Sequence, residues 1–108
     1  MRTFADFKRR LVPGLVLKAV NHMRPEASGE RTIVKVQGNG YWFNIAGKVY
    51  AADHRPTELA GKPCRYWYEW RGGAKIIRID GPNEVTLLTE PGDGPQRPLV
   101  TLTFPEAT

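Results

Sequence analysis

Apolar positions along this chain recur every second residue far more often than every third or fourth, so the pattern predicts strands with one short helix. Phe4, Phe7 and Leu11 are the exception. They lie at i, i+3 and i+7 and predict a helix over about residues 3–11, with Thr3 as its cap and Asp6 as a short version of the capping-box acid. Pro13-Gly14 ends it. Alternation then predicts a strand over about 15–23, with Leu15, Leu17, Ala19 and Met23 on one side and Val16, Lys18, Val20 and His22 on the other. The polar stretch Arg24–Glu30, broken by Pro25 and Gly29, reads as a loop. Strands over 31–37 and 41–46 flank Asn39-Gly40, a strong hairpin-turn pair. A turn there sets Val36 opposite Phe43 and Val34 opposite Ile45 on an apolar face, with Gln37 opposite Trp42 and Lys35 opposite Asn44 on a polar one.

A fourth short strand is expected over about 48–52, and residues 54–63 read as a connector with one helical turn over Thr57–Ala60. Cys64–Asp80 reads as a second hairpin, with strands over 64–71 and 74–80 turned by Gly72-Gly73. In that register Tyr68 faces Ile77 and Tyr66 faces Ile79 on an apolar side that also holds Trp70 and Lys75. The other side sets Arg65 opposite Asp80 and Trp67 opposite Arg78. Strands over 84–90 and 98–104 complete the pattern, separated by the breaker-rich PGDGPQR. Many short strands and one small helix imply a mainly β fold: a small antiparallel β-barrel or strongly bent sheet, of the size of SH3-like or OB-like domains. At 108 residues, one domain is expected.

Charge changes this picture only in part. Residues 1–80 hold 15 Lys/Arg against 7 Asp/Glu, net +8, and residues 81–108 hold 1 against 4, net −3. A basic body suits an anionic partner and argues against mimicry of DNA. Lys8, Arg9 and Arg10 crowd the last helical turn, where they read either as a solvated, dipole-matched end or as phosphate contacts. The single Cys64 cannot form an internal disulfide and fits a reducing, cytoplasmic setting. No apolar run approaches the roughly 18 residues of a membrane span, and the opening MRTFADFKRR has no hydrophobic signal core.

Catalytic chemistry finds little footing. His22 and His54 have no further His, Cys or clustered acid at ligand spacing, so neither a metal nor another cofactor is expected. The carboxylates are scattered, and Ser28, the one serine, lies in a loop. The least demanding enzyme would be a small RNase using His54 as base and Arg55 as the phosphorane cation, but two adjacent connector residues carry little weight. The expectation is a non-catalytic binding module. Trp42, Trp67, Lys35, Arg65, Arg71 and Arg78 would make an aromatic and basic face if the polar sides of the two hairpins adjoin. Such a face stacks bases of single-stranded DNA or RNA while cations track phosphates. The competing expectation buries both tryptophans under the helix or the C-terminal strands.

Thr3-Phe4-x-x-Phe7-Lys8, Gly14, Asn21-His22, Arg31–Gln37, Asn83–Thr86 and Leu99–Phe104 together resemble small uncharacterised proteins of phages and other bacterial mobile elements. These are strand and turn patterns and imply no activity. The resemblance does imply an alternative function: an accessory protein that binds and inhibits a host nucleic-acid-handling or defence protein. Trp and Arg serve protein hot spots as well as nucleic acids. A homodimer, formed through a free strand edge or the aromatic face, is the third candidate association.

Overall fold

Thr3 begins the one α-helix, α1 (Phe4–Arg10), with a full capping box: its hydroxyl accepts from the Asp6 amide, and the Asp6 carboxylate accepts from the Thr3 amide. The computed structural model describes residues 1–50, 62–92 and 94–106. The predicted helical turn at 57–60, the distal part of the predicted fourth strand, and His54 and Arg55 lie outside the described residues.

Seven strands form one antiparallel sheet curled into a half-barrel. They are β1 (Val16–Asn21), β2 (Gly29–Gln37), β3 (Gly40–Ile45), β6 (Tyr66–Glu69), β7 (Ile77–Gly81), β8 (Glu84–Leu88) and β9 (Pro98–Thr103). β4 (Val49–Tyr50) and β5 (Lys62–Pro63) pair separately as a short ladder. The order across the large sheet is β6-β3-β2-β1-β9-β8-β7. The inner face carries the alternating apolar set. Leu17, Ile33, Tyr41, Val85, Leu87 and Leu102 are all within 1% of full burial.

α1 closes the inner face. Phe7 is fully buried and meets Phe104 edge-on at 5.9 Å, while Phe4 meets Trp70 edge-on at 5.9 Å. Arg10 fastens the helix end to the rest of the chain. Its guanidinium donates to the Pro82 carbonyl at 2.9 Å, Asn83 Oδ1 at 2.8 Å and the Pro105 carbonyl at 2.8 Å, and lies over the Phe104 ring at 4.8 Å. A seven-residue helix has little stability of its own, so these contacts are what hold it.

The hairpin expected across Gly72-Gly73 does not form. β6 pairs with β3 and β7 pairs with β8, at opposite ends of the sheet. So Trp67 does not face Arg78, Arg65 does not face Asp80, and Tyr66 and Tyr68 do not face Ile79 and Ile77. The two glycines do take positive φ, +83° and +57°, but they lead into a 3₁₀ turn over Gly73–Ile76. The reason is burial. Trp70 precedes the turn and Ile76 closes it, 9% and 3% exposed; a hairpin would put them on opposite faces of the ribbon, whereas here both fill the core. Trp70 also keeps its indole N–H satisfied, donating to the Gly38 carbonyl at 2.9 Å.

The other hairpin turns one residue earlier than expected, which moves each facing partner by two. Its turn residues are Gly38 and Asn39, with Gln37 facing Gly40, Val36 facing Tyr41 and Lys35 facing Trp42. A β-bulge at Val34 then shifts the pairing, so that Ile33 faces Phe43 and Thr32 faces Asn44. Val34 therefore does not oppose Ile45, nor Lys35 Asn44. The bulge turns Ile33, 1% exposed, into the core in place of Val34.

Candidate functional site

The outer face of the sheet divides into two halves. Over β7, β8, β9 and the end of β1 it is a polar ladder. Arg78 Nε donates to Asp80 at 2.7 Å, the Thr86 hydroxyl donates to the same carboxylate, Thr86 and Thr101 hydroxyls lie 3.0 Å apart, and His22 Nε2 lies 2.7 Å from Thr101 Oγ1. Partial burial works to raise the Asp80 pKa, but its bonds to Thr86 and Arg78 outweigh this and hold it below the usual carboxylate range. Because the folded pKa is depressed, the Asp80 carboxylate stabilises the fold above its unfolded pKa of about 3.9 and loses that effect as pH falls through the folded value. Asp80→Asn is expected to unfold at lower denaturant concentration than the wild type at pH 7, with the gap closing below about pH 4. Urea titrations of both proteins across this range check it.

Over β6, β3 and β2 the outer face is aromatic and basic. Trp42 and Trp67 are direct cross-strand partners, with ring centroids 5.1 Å apart and planes tilted by 46°. Both are half-buried. Lys35 faces Trp42 from the other side, on β2. Val34, Lys35, Gln37, Trp42 and Arg65 line a depression of about 260 Å³. The Val34 bulge is what lets two successive residues, Val34 and Lys35, both line it.

Of the six residues expected to form the face, the structure brings together Trp42, Trp67, Lys35 and Arg65. Arg71 stands past the end of β6 and is taken up by Glu69, its Nε donating to Oε2 at 2.7 Å, while Asn39 donates to Oε1 of the same carboxylate at 3.1 Å. The Glu69 hydrogen bond and charge raise the Arg71 pKa further. Arg78 goes with β7 to the far end of the sheet and belongs to the polar ladder. Neither helix nor C-terminal strands cover the tryptophan pair: α1 lies against Trp70 and Phe104.

Two residues that the sequence reading does not count in the site belong to it. Gln37, set opposite Trp42 by the expected register, faces Gly40 instead and still lines the depression. Gly40 is read there as a turn glycine, yet its role is close approach. A Cβ on Gly40 would stand 2.1 Å from the Tyr68 carbonyl oxygen and 2.7 Å from the Trp67 ring, so the bare glycine is what admits Trp67 over β3. The sign available in the sequence is a glycine two residues before one outward Trp.

A second polar group lies inside. Arg31 is 5% exposed, its guanidinium stacks 4.6 Å over the Phe43 ring, and its Nε has no hydrogen-bond partner among the described residues. Burial works to lower its pKa, with Tyr41 and Tyr66 nearby. Burial raises the Tyr41 pKa strongly and pushes that of Tyr68 up to about 12. Tyr41 and Tyr68 are thus neutral phenols in the core. Among the described residues no three His, Cys, Asp or Glu side chains cluster as metal ligands, and no helix is long and apolar enough to cross a membrane. No family model, curated protein or solved structure matches the chain.

Proposed function

We propose that the Trp42–Trp67 face binds single-stranded nucleic acid, without catalysis. One observation carries this reading: two tryptophans, paired across β3 and β6 and uncovered by the helix, share the outer face with a depression lined by Lys35 and Arg65. Half-buried indoles in fixed orientation offer a base a flat apolar surface at low entropic cost, and flanking cations meet its phosphates. The depression is smaller than the sites that enclose a drug-sized ligand, which suits one base at a time rather than an engulfed metabolite.

The test is tryptophan quenching by oligothymidylate and oligouridylate at low salt, in a Trp70→Phe background so that only the outer indoles report. Binding should weaken steeply with salt, and Trp42→Ala should weaken it by about 10-fold or more, the worth of one stacked base. Absence of quenching with either oligomer at low salt overturns the proposal. If the chain instead captures a host protein in a salt-insensitive, Trp42-dependent complex, the accessory-inhibitor reading takes its place.

A further inference from the structure

Resting on that reading, we propose that the bound strand continues from the Trp42 depression over the Gly38–Asn39 turn onto α1, where Lys8 and Arg9 hold its further phosphates. Two adjoining depressions carry the inference. The first is the one at Trp42. The second, about 360 Å³, lies between Ala5, Lys8 and Arg9 of α1 and Val36, Gly38 and Trp70. Gln37 lines both, so the two meet at a single side chain. Each contains two cations, and among the described residues neither contains a carboxylate.

The basic end of α1 supports the same path because its three cations have separate fates. Arg10 is turned inward onto three acceptors of its own chain. Lys8 stays exposed, its ammonium 4.8 Å over the Phe4 ring. Arg9 is 72% exposed and pairs with Asp6, an i,i+3 contact of the weak surface kind that a phosphate can displace. A helix end that only matched its dipole would need no depression beside Lys8 and Arg9 leading back to the indoles. The other acid near the turn, Glu69, is held by Arg71 and Asn39.

Fluorescence anisotropy with labelled oligothymidylate and oligouridylate of about 4 and about 12 nucleotides tests the path. A longer oligomer gains affinity from its extra binding registers alone, so the salt slope is the readout. With the longer oligomer, the double variant Lys8→Ala/Arg9→Ala should flatten the plot of log K against log salt by about 1.4, two contacts of about 0.7 each, and leave the shorter oligomer unaffected. Trp42→Ala should weaken both lengths. An unchanged slope in the double variant, with Trp42-dependent binding of the short oligomer intact, overturns the extended path and leaves the tryptophan site standing. Failure of both lengths to bind the wild type overturns both. The sugar type that shows the larger slope difference identifies the strand the path is built for.

Discussion

Gly40→Ala is expected to cost about 3 kcal/mol and to lower the melting temperature by roughly 15 °C. Substituting alanine for glycine is ordinarily mild. Here the added methyl would meet a backbone oxygen, Tyr68 O, at 2.1 Å, and the Trp67 ring at 2.7 and 2.8 Å. A flexible side chain could step aside, but a carbonyl in the β3–β6 ladder moves only if β6 moves. β6 is a four-residue end strand paired with β3 alone in the large sheet, so it should shift or detach. The Trp42–Trp67 contact goes with it. Circular dichroism reads both effects: the melting curve reports stability, and the couplet of two indoles 5.1 Å apart reports their pairing. Gly38→Ala is the matched control. Nothing lies within 4 Å of its added carbon, and it should stay within about 0.5 kcal/mol of the wild type. Equal melting of both variants, with the couplet retained, would show that β6 does not need the bare glycine.

Phe7→Ala should remove about 4 kcal/mol, a large share of the total stability of a domain this size. Phe7 is fully buried, and its ring contacts both Phe104 and Phe4. The loss is more than a cavity. A helix of seven residues cannot persist undocked, so α1 should fray and uncover Trp70, whose ring Phe4 meets edge-on. Trypsin reports this directly, since Lys8, Arg9 and Arg10 all lie in the last turn. Cleavage there should become rapid in Phe7→Ala under conditions where Phe7→Leu, which keeps most of the volume, resists it. Trp70 emission should shift to the red in the first variant only.

The alternation of apolar residues made the two faces of most strands legible, because side-chain direction is a property of the strand itself. Which strand lies beside which is not. Gly72-Gly73 carries the backbone freedom of a hairpin turn, and the burial of Trp70 and Ile76 in the core decides against one. The β3–β6 pairing spans about 25 residues, so the meeting of Trp42 with Trp67 came within reach of sequence reasoning only as a condition, that two polar faces adjoin. Arg65 and Lys35 satisfy that condition because they travel with β6 and β2. Arg78 fails it because it travels with β7. The bulge at Val34 left no local mark: Ile33 and Val34 are equally apolar, and the choice between them is made by the space inside the half-barrel. In the sequence the basic helix end is one cluster, whereas the acceptors that single out Arg10 lie 72 to 95 residues away.

That last separation has a consequence for the order of assembly. α1 leaves the ribosome well before β8 and β9, yet the acceptors of Arg10 sit just before β8 and just after β9. The helix thus waits, without a surface to dock on, until most of the sheet exists. Its capping box is local and available at once, but its anchorage is among the most non-local in the fold. A segment made before the sheet should therefore be secured after it, and a nascent chain stalled before residue 98 should carry an exposed Phe4 and Phe7, the kind of apolar surface that chaperones hold.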